Sequence, residues 1–142
     1  MKNSKDILSS ILKTTQMGQV GIRSVLDTSM RPGLRKALES QLQEYDRIES
    51  EAHYIAGQRG WELRELDPAV RFMSDMMTRM KLNRRNSDSK IADMMIQGNT
   101  RGMIKGLKNL HQYPEQDAQV STLSQKLLDC ETANIRQMQS FL

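Results

Sequence analysis

Residues 91–110 read IADMMIQGNTRGMIKGLKNL, and this stretch decides the predicted fold. At about 100° per residue one of its sides is apolar, which predicts an amphipathic helix. Asn99 lies in the middle of that side, and Gly98, Gly102 and Gly106 recur at a spacing of four. Each glycine costs a helix about 1 kcal/mol relative to alanine, so we expect another helix to pack very close. The segment therefore predicts the central helix of a bundle, with a polar point halfway. Its apolar side carries Ile91, Ala92, Met95, Ile96, Met103, Leu107 and Leu110.

The composition predicts one all-α domain over residues 1–142. Hydrophobic residues make up 37% of the chain but aromatic residues only 4%, so Leu, Ile and Met must fill the core. The 17 acidic residues are interspersed with 21 basic ones, which argues against a dedicated nucleic-acid surface. We expect no signal peptide, and no apolar run in the sequence is long enough for a membrane span. The single Cys130 fits a reducing compartment, so we predict a cytoplasmic protein.

Caps and breaks divide the chain into five predicted helices. Ser4 is the predicted N-cap of the first helix, and Gly60 closes the second. Asp67 and the following proline open the third helix, and Asn86 or Ser87 is expected to cap the fourth. The predicted helices cover residues 4–29, 33–59, 68–83, 88–112 and 115–141.

The segment between the second and fourth helices determines the predicted topology. A helix of about 25 residues spans roughly 37 Å, and residues 60–87, half helical and half extended, can cover that distance. The second and fourth helices would then run parallel, giving an up-down-down-up four-helix bundle with a short amphipathic helix in the crossover. The alternative is an irregular five-helix up-and-down bundle, in which the Met-rich helix of residues 68–83 caps one end.

Polar residues occur halfway along each long helix, on or beside its buried face, and we expect them to meet at one level of the bundle. This layout resembles the ferritin-like superfamily, and Gly60-Trp61 after the second helix is similar to small bacterial bundles of the spore-coat-F-like type. The resemblance implies a ferritin-like fold, and metal-dependent oxidation or iron storage if the ligands are present. The predicted site consists of Gln19, Tyr45, Glu49, Asn99, Glu131 and Asn134.

The ligand frames argue against a di-iron centre. They read Glu49-x-x-Ala52 and Glu131-x-x-Asn134, where ferritin-like proteins have Glu-x-x-His, so we predict no cofactor. The favoured interpretation is a hydrogen-bonded polar layer in which amides and Tyr45 satisfy both carboxylates. The alternative is a single ion or small polar ligand, with Glu49 and Glu131 as the metal ligands if there are any.

The remaining candidates favour packing or solvation over chemistry. His53 and His111 have no second ligand at metal-binding spacing. The Met73, Met76, Met77 and Met80 stripe could offer thioethers to Cu(I), but without Cys or His it more often packs against a core. If this stripe instead bound a partner protein, the helix would have to detach from the bundle. We predict a non-enzymatic structural or protein-interaction role, with another protein or a second copy as partner. The alternative is a degenerate ferritin-like metal or small-ligand binder.

Overall fold

The computed structural model describes residues 3–82, 87–113 and 117–142, and this part of the chain is all-α without a strand. The all-α prediction is therefore confirmed. The first helix ends three residues earlier than predicted, and the last helix ends two residues earlier than predicted. Two predicted boundaries lie outside the described residues. They are the end of the third helix at residue 83 and the start of the last helix at residue 115. The helices are α1 Ser4–Leu26, α2 Pro32–Arg59, α3 Pro68–Lys81, α4 Asp88–Gln112 and α5 Ala118–Gln139.

Side-chain caps determine where the helices begin and end. Asn3, not the predicted Ser4, caps α1: its side chain accepts from the Asp6 N–H, and the Asp6 carboxylate accepts from the Asn3 N–H. This reciprocal pair satisfies two donors that the first turn of a helix leaves open. Ser87 caps α4, whereas the alternative cap at residue 86 lies outside the described residues. Gly60 closes α2 at φ +65°, a conformation that favours glycine.

Contacts between helix ends define how the helices run. The Arg31 N–H donates to Asp88, so α2 and α4 begin at the same end of the molecule. Asn109, near the end of α4, donates to Ser10 near the start of α1, so these two helices are antiparallel. Arg59 at the end of α2 binds Asp117 before α5, so α2 and α5 are antiparallel as well. Within this arrangement, α1 contacts each of the other four helices.

The central helix is α1, and the prediction that α4 would occupy this position is wrong. Thirteen of the 23 residues of α1 are buried, against four of the 25 residues of α4. Of the apolar side predicted for α4, only Ile91 and Ala92 are buried, whereas Leu107 is exposed. The physical reason is that α4 packs against α1 and α5 on one side only, and a cavity opens beside it.

The short helix α3 turns its polar side toward α1. The Ser24 hydroxyl donates to Asp75, and Arg79 donates to both Asp75 and Asp27, at 2.9 and 2.6 Å. The expected packing of the methionine stripe is therefore wrong, and so is the expectation that α3 must detach to expose it. No residue of α3 is buried. Its exposed large apolar residues are Val70, Phe72, Met73, Met76, Met77 and Met80.

Replacing Asp117 by alanine is expected to lower the free energy of unfolding by about 2 kcal/mol. The Asp117 carboxylate accepts two hydrogen bonds from Arg59, at 2.8 and 2.9 Å, and also caps α5. The substitution removes both the cap and a partly buried, bidentate ion pair. Urea unfolding followed by circular dichroism measures the change. Asp129→Ala is the matched control, because that carboxylate on the same helix is exposed and accepts a hydrogen bond from Gln125, four residues away. If both variants lost the same free energy of unfolding, Asp117 would not have the stabilising role described here.

Candidate functional site

A buried hydrogen-bond network joins α2, α4 and α5 near their midpoints. The Tyr45 hydroxyl donates to the Asn99 carbonyl oxygen at 2.9 Å. The Asn134 amide donates to the same oxygen at 3.3 Å and lies 3.5 Å from the Tyr45 hydroxyl. The Asn99 amide donates to the backbone carbonyl of Met95. The structure thus brings together three of the predicted site residues, and they largely satisfy one another.

Glu131 lies beside this network but does not take part in it. It is only 2% exposed, and its Oε1 has no hydrogen-bond partner among the described residues. Burial raises the pKa of this carboxyl from 4.5 to about 8, so it is mainly protonated at neutral pH. The interpretation that amides and Tyr45 satisfy both carboxylates therefore does not hold for Glu131. The reason is that the Tyr45 and Asn134 donors are directed at Asn99.

A glycine on α4 makes the space that Glu131 occupies. A Cβ atom added at Gly102 would lie 2.0 Å from Glu131 Oε2, and one at Gly106 would lie 3.0 Å from the Leu128 side chain. These two glycines therefore allow the close approach of α5 that we expected from their spacing. Gly98 does not, because no described atom beyond its own helix lies within 4 Å of a Cβ there.

Gln19 and Glu49 lie in a second polar cluster, between α1 and α2. Gln19 donates to Asp46 at 2.8 Å and to Glu49 at 3.4 Å, while Gln16 donates to the other Glu49 oxygen at 3.2 Å. The predicted single layer is thus divided: Glu49 accepts from two amides, whereas Glu131 Oε1 has no partner in the described part of the chain. The sequence analysis missed Gln16 and Asp46, although each lies within three residues of a predicted member on the same helix.

The arrangement does not fit the di-iron ligand set of ferritin-like proteins. That set needs carboxylates and histidines converging on one point. Here Glu49 and Glu131 belong to different clusters. Within residues 3–82, 87–113 and 117–142, no group of three or more His, Cys, Asp or Glu side chains could hold a metal ion. The two histidines are exposed; His53 Nε2 lies 3.7 Å from a Glu65 oxygen.

Cys130 does not form a reactive centre with its neighbours. Burial, together with the nearby Glu44 and Glu131, raises the pKa of its thiol to about 12. The Asn134 amide lies 3.7 Å from the sulfur. A thiol with a raised pKa is a poor nucleophile at neutral pH, because the thiolate is the reactive form.

A cavity of about 500 Å³ lies between α1, α3 and α4 and reaches the polar residues at mid-bundle. Tyr45, Asn99 and Glu131 are among the residues that line it. A second cavity, of about 10 Å³, adjoins Glu131 on the side of α1 and α5, next to Ser10 and Ser124. The sequence analysis did not foresee either space. The glycines of α1 and α4 were the signal available, since Gly18, Gly21, Gly98 and Gly102 all line the larger one.

Comparison with known proteins adds no assignment. The chain matches no family model, no curated protein and no solved structure. Every helix in the described part of the chain is too short or too polar to span a bilayer.

Proposed function

We propose that this chain is a non-enzymatic helical-bundle protein that acts by binding a protein partner, and that the partner is a second copy of the chain. The single observation that carries the proposal is the orientation of α3. Its polar side is hydrogen-bonded to α1, while its apolar side is open to solvent. Phe72 is 63% exposed and Met80 is 77% exposed. We call the exposed residues 69, 70, 72, 73, 76, 77 and 80 the outer face of α3.

The chemistry of the outer face is that of a protein interface. Methionine and aromatic residues are enriched at interface cores, and charged residues are depleted there. The face carries five large side chains of these two types and Val70, whereas the charged residues of α3 lie on other sides of the helix. Apolar surface of this kind gains roughly 25 cal/mol for each Å² removed from water, so covering it favours association. Flexible methionines also adapt to a partner of similar shape.

The order of side chains along α3 favours self-association. If two copies of the helix pack antiparallel about a two-fold axis, Met73 faces Met76 of the partner subunit, and Phe72 faces Met77 of the partner subunit. The small Ala69 then faces the long Met80 of the partner subunit, which leaves room for that side chain. The exposed Asp67 also comes near Lys81 of the partner subunit, which places opposite charges together at both ends.

We also propose that the fold is a ferritin-like, up-down-down-up bundle of the bacterial type that the sequence resembles. The support is that α2 and α4 begin at one end, while α1 and α5 are antiparallel to them. The connection from α2 to α4 contains α3, as a crossover would. In this scheme hydrogen bonds and an unpaired carboxyl take the place of the di-iron ligands.

Replacing Met76 by glutamate is expected to convert a dimer into a monomer. The substitution places a charge at the centre of the outer face, and burying it against the partner would be strongly unfavourable. Light scattering after size-exclusion chromatography at about 100 µM measures the mass, and we expect at least a tenfold rise in the dimer dissociation constant. Ile104→Glu is the matched control, because Ile104 on α4 is 47% exposed and Met76 is 43% exposed.

A pair of charge substitutions tests the antiparallel register. Ala69→Glu and Met80→Lys should each weaken the dimer, and the double variant should recover it, because opposite charges then meet across the two-fold axis. A wild-type chain that remains monomeric at this concentration would overturn the proposal. So would an Ile104→Glu effect as large as that of Met76→Glu.

A further inference from the structure

The methionine stripe on the outer face of α3 carries soft sulfur ligands that are open to solvent. Met73 is 60% exposed, and Met76, Met77 and Met80 are exposed as well. Packing against a core was the reason to disfavour Cu(I) at this stripe, but no residue of α3 is buried. The thioethers are therefore accessible to a metal ion.

Methionine is an unfavourable residue for a surface that only has to bury apolar area against a constant partner. When it is ordered, a methionine loses about twice as much side-chain entropy as a leucine, although the two have similar volumes and helix propensities. Its adaptability is useful to proteins that bind many partners, whereas a second copy of the chain is always the same. Four of the seven residues of the outer face are methionines. We therefore expect the sulfur atoms themselves to have a use.

The antiparallel register brings two methionines of each copy to the two-fold axis. Met73 faces Met76 of the partner subunit, and the symmetry makes Met76 face Met73 of the partner subunit. Residues three apart on a helix have Cβ atoms about 5–6 Å apart, and packed helices have axes about 8–10 Å apart. Long, flexible methionine side chains can reach across such distances. Four thioether sulfurs, two from each copy, can therefore converge on one point.

The groups near this point favour a soft monovalent cation. Thioethers are neutral, soft ligands that select Cu(I), whereas Mg²⁺ and Ca²⁺ require oxygen ligands and Zn²⁺ prefers thiolate or imidazole. The single acidic residue of α3 is Asp75, and its carboxylate accepts from Ser24 and Arg79 on the polar side of the helix. Without a carboxylate to neutralise it, a divalent ion would be more unfavourable to bury than a monovalent one.

We propose that the dimer binds one Cu(I) ion at its two-fold axis, with Met73 and Met76 of both copies as the ligands. The inference rests on the proposed function, because each copy supplies half of the ligands. An ion that binds the dimer and not the monomer favours the dimer by mass action. Cu(I) therefore promotes the self-association of this chain.

Copper binding and self-association are both measured on the full chain under argon, with ascorbate to keep the copper reduced. Transfer of Cu(I) from its bicinchoninate complex measures the affinity and the stoichiometry. Light scattering over a dilution series measures the dimer dissociation constant. We expect about one Cu(I) for two chains, and a dimer dissociation constant at least tenfold lower with Cu(I) than without it. Zn²⁺ should change that constant by less than about twofold.

The double variant Met73→Leu/Met76→Leu removes the proposed ligands and keeps the apolar surface. Because leucine and methionine have similar volumes, its dimer dissociation constant without metal should lie within about threefold of the parent value. It should bind Cu(I) at least tenfold more weakly, and Cu(I) should not tighten its dimer. Met17→Leu/Met94→Leu is the matched control, because it removes one exposed and one half-buried thioether outside the outer face. This control should behave like the parent, and circular dichroism establishes that both variants are folded.

The outcomes separate the metal site from the dimer. A parent dimer that neither binds Cu(I) nor tightens with it would overturn the metal site and leave the proposed function standing. A parent that is monomeric without metal and dimeric with Cu(I) would overturn the proposed function as stated and support the metal site. Equal copper binding by the two double variants would refute the ligands, and an equal effect of Zn²⁺ would refute the soft class of ion. One Cu(I) per chain with an unchanged dimer would refute its place on the axis.

Discussion

Raising the pH from 5 to 8 is expected to lower the free energy of unfolding by roughly 3 kcal/mol through Glu131 alone. Burial raises the pKa of this carboxyl from 4.5 to about 8. Between these two pH values the unfolded chain has released the proton, while the folded chain still holds it. The folded state therefore binds more protons, and stability decreases as the pH rises. The contribution of the protonated Glu131 carboxyl to the free energy of unfolding is complete below pH 4.5. It is lost as the pH rises through 8.

The groups that face Glu131 do not titrate in the same interval. Burial and the neighbouring Glu131 raise the pKa of Tyr45, and burial raises that of Cys130 to about 12, so both stay neutral. The ionisable groups elsewhere in the chain are common to the parent and to any Glu131 variant. The difference between parent and variant therefore isolates Glu131.

Glu131→Gln is the variant that tests this result. The amide has nearly the same shape but cannot ionise, so we expect it to remove most of the decrease between pH 5 and pH 8. The variant should be more stable than the parent at pH 9, where the parent must bury a charged carboxylate. Urea unfolding at unit intervals of pH measures both curves. Parallel curves for the two proteins would show that Glu131 ionises as freely in the folded chain as in the unfolded one.

Replacing Gly18 by alanine is expected to lower the free energy of unfolding by about 2 kcal/mol, although alanine is the better helix former. A Cβ atom at this position would lie 2.7 Å from two carbon atoms of the Tyr45 ring. The ring is buried, and its hydroxyl donates to Asn99, so it cannot move aside without disturbing the network at mid-bundle. The overpacking therefore exceeds the gain of about 1 kcal/mol in helix propensity.

Gly21→Ala is the matched control on the same helix. The nearest atom to a Cβ there is the Met95 methyl carbon at 4.0 Å, which is an ordinary contact. We expect this variant to be as stable as the parent or up to about 1 kcal/mol more stable. Tyr45→Leu should make Gly18→Ala nearly neutral, because the clash then has no ring to involve. Thermal unfolding of the single and double variants measures this coupling. Strictly additive effects would show that the ring is not the obstacle.

The local parts of the structure could be predicted from the sequence. The apolar residues of α1 and α2 repeat with the helical period, and most of them are buried. Pro68 after Asp67 marks the start of α3, and Gly60 marks the end of α2, because their backbone preferences act within a few residues. The meeting of Tyr45, Asn99 and Asn134 follows from similar reasoning, since a polar residue halfway along a buried face must find a partner at the same level.

The candidate site could be predicted only in part, because two helices with similar midpoints can still direct their side chains apart. Glu49 lies only four residues after Tyr45, yet it points to the Gln16 and Gln19 amides of α1. Glu131 lies three residues before Asn134, yet its carboxyl lies against Gly102 of α4 and takes no part in the network. Rotations of about 40–60° around a helix axis decide such cases. These rotations cannot be predicted from the periodic pattern of one sequence.

The sequence by itself determined the five helices, several of their caps and the division of each helix into a polar and an apolar side. These features depend on contacts within one or two turns, so residue order is sufficient. Only the tertiary structure decided which side of α3 faces the bundle, because Asp75 and Arg79 found partners in Ser24 and Asp27 on α1. The cavity between α1, α3 and α4 also results from this placement. Hydrogen bonds between distant parts of the chain outweighed the hydrophobic pattern of one short helix, and they left that pattern exposed to solvent.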